Sequence, residues 1–447
     1  MEAGMSPLRR DLSELLRLAG PVVGTRLGVM AMGLTDTVVV GRFSSGELGY
    51  MALGWAPTAV VLTTGIGLLS GVQVMTARRM GEGRPELVGA VLRRGLAYAV
   101  GLGIVASLFL ILFGPGLLAL SGVGPDLAAG AGRALRVFSL SLVLSLAATA
   151  CFSWLEALGR PGPAMAAMWF ANGLNLVLDL WLVSGGFGVP ALGAIGAACA
   201  TFGARAALLA ALLVFVARTP HGRDVLRRPA PDRAAEAEQR RIGYAAGAAL
   251  FVETSAFSGM NIVAGWVGGL TVAGWAIVLN VAAIIFMAPL GLAMAASVLV
   301  ARAYGRGDWA GLRRVGRTAF GVTATVAGAI SLAVWPASGL IAAAYTRDPA
   351  LAALTAAGLS LACLFFVADG LQVVASQVLR ACGDVWLSTW VQVASYAVVM
   401  LPLGWALALP AGLGLAGIVW SVVAASVMSA GLLLGRFAWV ARPAPVG

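Results

Sequence analysis

Lysine is absent from this 447-residue chain, histidine occurs once, and only 11% of the residues are charged, against roughly 25% in an average soluble domain. Each shortage removes a class of function. Without lysine there is no Gly-x-x-x-x-Gly-Lys-Ser/Thr loop, so the polypeptide has no P-loop ATPase of its own. The single histidine, His221, falls in the longest polar stretch, and the acids are dispersed along the chain. An enzyme would need clustered groups for acid–base work, with metal ligands or phosphate-binding cations, so the chain reads as a non-enzyme without a cofactor. The four cysteines, Cys151, Cys199, Cys363 and Cys382, lack the paired spacing of a metal site and read as small packing residues. The first apolar stretch carries Arg26 and Asp36 and no convincing processing site, so retention of the N-terminus is expected.

What the chain has instead is apolar length. Hydrophobic residues make up 60% of it and the mean hydropathy is +0.92, the composition of an all-α integral membrane protein. A crossing needs about 20 apolar residues. Such segments predict twelve transmembrane helices, at 14–40, 50–76, 91–114, 130–157, 163–184, 193–217, 242–268, 273–301, 318–344, 351–379, 385–408 and 413–438. The runs are too long and continuous for the alternating strands of a barrel.

The net charge of +11 comes from arginines that gather in alternate connections, so no nucleic-acid partner is needed to explain it. Arg9 and Arg10 precede the first crossing; Arg78, Arg79, Arg84, Arg93 and Arg94 surround the second loop. Arg218, Arg223, Arg227, Arg228, Arg233, Arg240 and Arg241 fill the sixth, and Arg302, Arg306, Arg313, Arg314 and Arg317 the eighth. By the positive-inside rule both termini and the even-numbered loops face the cytoplasm.

The sixth loop divides the chain into 1–217, 218–241 and 242–447, and landmarks repeat across it. Ala77-Arg78-x-x-Gly81-x-Gly83 returns as Ala301-Arg302-x-x-Gly305-x-Gly307, and Leu155-Glu156-Ala157-Leu158-Gly159 as Leu379-Arg380-Ala381-Cys382-Gly383, both at an offset of 224. Two pseudo-symmetric six-helix lobes of the same orientation follow, an arrangement that can rock to expose a site alternately to each side.

Against that apolar background stand four acids, Asp36, Asp179, Glu253 and Asp369. Each opposes insertion by roughly 2.5–3.5 kcal/mol, which marks them as functional. Asn172, Asn175 and Asp179 follow i, i+3, i+7 spacing and share one helix face. Carboxylate and amide oxygens there can replace part of the hydration shell of a hard cation; a buried carboxyl can equally carry a proton.

The ordered landmarks resemble the multidrug and toxic compound extrusion (MATE) transporters, most closely the NorM-like branch. They include Pro21, Thr35-Asp36-Thr37 to Gly41, Leu53-Gly54, Glu253-Thr254-Ser255, Gly268-Gly269, Asn280, Met287-Ala288-Pro289-Leu290-Gly291 and Gly305-x-Gly307-Asp308. The resemblance covers almost the whole chain. It implies a two-lobed inner-membrane antiporter, functional as a monomer, that exports organic, often cationic small molecules from a central cavity in exchange for Na+ or H+.

It also implies coupling-ion binding at Asp36, Asn175, Asp179 and Thr201, with Na+ as the candidate metal, and a second ion or substrate site at Glu253 and Asp369. Phe365 stands where some relatives have a tyrosine, so a hydroxyl is missing one turn before Asp369. Asn261 and Gln372 are expected as polar company for the two C-lobe acids. Pro21 is a candidate hinge coupling Asp36 to cavity shape. Arg26 and Arg205 are read as structural, Arg26 lying about 15 Å from Asp36 along its helix, too far for pairing. Met30, Met32, Met260 and Met287 are candidate cavity residues that serve equally as packing. The alternative is a lipid-linked oligosaccharide flippase of the same superfamily, which needs a basic cavity rather than these acids.

Overall fold

A computed structural model describes residues 6–120, 124–186, 188–225 and 232–442; Arg227 and Arg228 of the predicted basic loop lie outside them. Twelve long helices account for nearly all of the described chain. They are α1 (Pro7–Phe43), α2 (Ser45–Gly81), α3 (Val88–Leu120), α4 (Pro125–Ala157), α5 (Pro161–Ser184), α6 (Gly193–Ala217), α7 (Arg233–Val267), α8 (Gly269–Gly305), α9 (Trp309–Tyr345), α10 (Pro349–Ala381), α11 (Trp386–Ala408) and α12 (Gly414–Val440). A 37-residue helix such as α2 is about 55 Å long, well beyond the roughly 30 Å hydrocarbon thickness, so several helices run on into polar residues past the predicted ends.

Eleven of the twelve are long and apolar enough to cross a membrane by length and composition. The other, α7, is diluted by Glu253, Thr254, Ser255, Ser258 and Asn261, and its first turns carry Arg233, Arg240 and Arg241. Large apolar side chains such as Leu112 (69% exposed) and Leu340 (78%) point outward, as helices whose surroundings are lipid require.

The sequence repeat is also a repeat of backbone form. After α2 and α8 the chain turns through Gly83 (φ 71°) and Gly307 (φ 69°), and after α4 and α10 through Gly159 (φ 78°) and Gly383 (φ 87°). Each is the left-handed residue that closes a helix C-terminus, where a side chain would be strained.

The chain divides into two compact units, Gly24–Gly247 and Met1–Val23 with Ala248–Gly447, so the change of unit falls inside α1, two residues after Pro21, and inside α7. In the first unit Leu135, Phe138, Leu142, Leu146 and Trp154 are buried, and the Trp154 indole donates to the Val88 carbonyl at 2.9 Å. In the second, Met260, Trp275, Phe365, Phe366, Tyr396 and Met400 form one apolar cluster. α11 is irregular: from Ala394 to Met400 it widens into π-helical turns, a form that recurs at functional sites.

Candidate functional site

In the Gly24–Gly247 unit, three helices bring one polar cluster together. The shared face of α5 buries Asn172, Asn175 and Asp179, α1 contributes Asp36 and α6 contributes Thr201. The Asn175 amide donates to Asp36 Oδ1 at 3.1 Å, and the Thr201 hydroxyl donates to Asp36 Oδ2 at 2.8 Å. Asn172 donates to the Gly28 carbonyl at 3.0 Å, tying α5 to α1 two turns before Asp36. Asp179 lies against Asp36.

The remaining atoms of this cluster lack donors. Both Asp179 oxygens, Asn175 Oδ1 and Asn172 Oδ1 are buried without a hydrogen-bond partner among the described residues. Every orphan here is an acceptor. An unsatisfied buried polar group costs about 1–3 kcal/mol, and more when charged, so two adjacent carboxyls surrounded by amide oxygens call for a proton or a cation. A proton shared between carboxyls meets this need, as does a hard cation with carboxylate, amide and hydroxyl ligands. Among the described residues no three His, Cys, Asp or Glu side chains gather as a metal site, so any ion here depends on the Asn and Thr oxygens as well as the acids.

Two arginines flank this unit's polar interior differently. Arg205 stays close enough for its charge to act on Asp36, yet its hydrogen bond goes to Ser141 Oγ at 2.7 Å and its guanidinium lies 5.0 Å from the centre of the Trp55 ring. Arg26 forms a buried ion pair with Glu156 of α4 at 3.5 Å, and the Gln73 amide donates to the other Glu156 oxygen at 3.0 Å. Glu156 was visible only as a repeat landmark; that it is buried depends on contacts with residues far along the chain.

In the other unit Glu253 and Asp369 also meet, and their setting is richer in donors. The Gln372 amide lies 3.5 Å from both Glu253 Oε1 and Asp369 Oδ1, while the Tyr396 hydroxyl donates to Asp369 at 3.2 Å. Gln392 donates to the Gln372 carbonyl oxygen at 3.1 Å and accepts from Arg380 at 2.7 Å, so a buried cation connects to the acids through two amides. The charge of Arg380 acts directly on Glu253 as well.

The hydroxyl expected to be missing near Asp369 is therefore supplied, from the π-helical part of α11. Phe365 itself is buried edge-on against Phe366. Gln372 joins the acids as expected, whereas Asn261 is exposed and takes no part. Met260 is core, packed with the apolar cluster of its unit, and Met32 is buried; Met30 and Met287 are half-buried. Tyr396, Gln392 and Arg380 escaped the sequence reading, although Arg380 stood in the repeat opposite Glu156 and a cation inside an apolar helix could have been questioned there.

Comparison with known proteins adds an independent line. The sequence profile of the MatE family matches residues 21–181 and 245–406. A Caulobacter vibrioides protein called "Probable multidrug resistance protein NorM" is 53% identical over 98% of this chain and 93% of its own length. "Multidrug resistance protein PmpM" of Pseudomonas aeruginosa is 31% identical over 90% of this chain and 85% of its own length. Among solved structures, the eukaryotic MATE transporter AtDTX14 superposes with a TM-score of 0.88 at 19% identity, covering 97% of this chain and 96% of that one. A MOP superfamily transporter from Pyrococcus furiosus, described by the reverse polarity of its binding pocket, superposes at 0.87 and 19% identity, covering 97% of each chain.

Proposed function

Because the chain belongs to the MatE family, we propose that it is a multidrug efflux antiporter that exports organic, cationic small molecules by alternating access, driven by inward Na+ or H+. Two relatives named as multidrug resistance proteins, each similar over most of their length, support the export of drug-like compounds. The fold does not choose the polarity of the pocket, since it is shared with a MOP superfamily transporter described by the reverse polarity of its own. This chain's own residues must.

The observation that carries the reading is the set of orphaned oxygens around Asp36 and Asp179, where Asn175 and Thr201 are already committed to Asp36 and nothing yet satisfies Asp179. An inward-moving cation or proton supplies the partner that the Asp179 oxygens lack. When it leaves, the cluster regains an uncompensated charge, which favours rearrangement of the helices that hold it. Glu253 and Asp369 form the second site, for substrate or ion. Pro21, beside the change of compact unit in α1, is the candidate hinge.

The protein acts in the inner membrane with both termini cytoplasmic, as a monomer, without cofactor or enzymatic activity, the arginine-rich ends of the helices facing the cytoplasm. The decisive experiment measures drug flux in everted vesicles with the Na+ and pH gradients clamped separately, for wild type, Asp36→Asn and Asp179→Asn. Loss of gradient dependence in both variants is expected; retained coupling in both would overturn the assignment.

A further inference from the structure

A cavity of about 320 Å³ opens at the arginine-rich end of the Gly24–Gly247 unit, between α2, α3 and α7, away from the acidic cluster. Its wall joins an apolar part, with Leu68, Leu69, Val72 and Ala97, to a polar part, with Arg94, Gln239, Arg240, Glu236 and Tyr98. The site is built rather than incidental. On one side α2 and α7 cross so closely that a Cβ on Gly71 would run into the Gln239 carbonyl and one on Gly243 into the Leu68 carbonyl, the small-residue contact that lets membrane helices touch backbone to backbone.

Gln239, 8% exposed, then fixes the cation: its amide donates to the Val91 carbonyl at 3.3 Å, and its oxygen accepts from Arg94 Nε at 3.4 Å. That bond orients the guanidinium and leaves its two terminal nitrogens without a hydrogen bond or ion pair among the described residues. Among the described residues Arg240 pairs with Glu236 alone, at 4.0 Å. Tyr98, one of the lining residues, stacks edge-on with Tyr244 at 6.5 Å.

We propose that this cavity binds an anionic phospholipid, its phosphate held by Arg94 and Arg240 and the upper part of an acyl chain laid along Leu68, Leu69, Val72 and Ala97. A planar guanidinium with both terminal nitrogens available matches two phosphate oxygens. Arg94 lies six residues into α3, about 9 Å from its start, a depth suited to the headgroup boundary. Basic pockets between membrane helices at this level are lipid headgroup sites, and an apolar wall continuous with the cation excludes a purely soluble anion as the best fit.

The test uses the purified full-length protein in detergent, titrated separately with phosphatidylglycerol, phosphatidylcholine and glycerol phosphate. Bound lipid is counted by native mass spectrometry and the thermal unfolding midpoint is followed. Phosphatidylglycerol should be retained about tenfold better by wild type than by Arg94→Gln, the worth of one charge-assisted contact pair. Arg84→Gln, a loop arginine outside the cavity, should behave as wild type.

Ala97→Trp should weaken phosphatidylglycerol alone, by filling the acyl path. Glu236→Gln should tighten it about threefold by removing the one acid of the wall, a gain that misfolding cannot mimic. The proposal is overturned if Arg94→Gln retains the lipid equally or if Glu236→Gln weakens it. It is also overturned if phosphatidylcholine binds as well, or if glycerol phosphate raises the midpoint as much as the lipid does.

Discussion

The two buried acid pairs differ in how their oxygens are satisfied. Around Asp36 and Asp179 the neighbours are acceptors as much as donors, and four oxygens have no partner among the described residues. Around Glu253 and Asp369 the donors are in place, with Gln372, Tyr396 and, through Gln392, the guanidinium of Arg380; no oxygen of these two acids is both buried and orphaned among the described residues. A buried arginine acts on one acid of each pair, Arg205 on Asp36 and Arg380 on Glu253; what differs is that both Asp179 oxygens have no hydrogen-bond donor among the described residues. On the proposed function the two pairs take different work, ion coupling at Asp36 and Asp179 and substrate or ion contact at Glu253 and Asp369.

The largest expected effect is on that division itself. Asp179→Asn should abolish gradient-driven efflux, a fall on the order of 100-fold for the loss of a charged ligand, while Asp369→Asn should leave the residual flux responsive to the gradient. Flux assays on the two variants with the opposite ranking would reverse the comparison. Next in size, Arg380→Gln removes the internal countercharge, so a lipophilic phosphonium cation should bind about fivefold more tightly, as followed by equilibrium dialysis. Weaker or unchanged binding would mean that Arg380 braces α10 and α11 without offsetting the acids. The smallest effect belongs to Tyr396→Phe: losing one hydrogen bond to Asp369 is worth about 1 kcal/mol, a change of roughly fivefold or less in apparent drug affinity, with ion dependence untouched.

Helix number and much of the N-terminal cluster were legible because both are written locally. Twenty apolar residues in a row announce a crossing, and Asn172, Asn175 and Asp179 share a face through their spacing alone. That Asp36 and Thr201 meet that face came from resemblance, and the hydrogen bonds at 3.1 and 2.8 Å now show the meeting. What stayed hidden was non-local. Tyr396 reaches Asp369 from 27 positions away, out of a π-helical segment that no apolar period reveals, and Glu156 finds Arg26 across 130 positions. The weak apolar signal of α7 has the same origin as its interest, since the polar residues that dilute it include Glu253.

The reversal of sign between Glu156 and Arg380, at one register of the repeat, limits how the two halves could ever be recombined. Glu156 answers a cation on α1, and Arg380 acts on an anion on α7. A gene in which the α10 coding segment replaced that of α4 would set arginine against Arg26 inside an apolar bundle, and the reciprocal exchange would set glutamate against Glu253. After duplication, each half thus became committed to its own partner helix, and further shuffling between the copies would be blocked by charge rather than by shape.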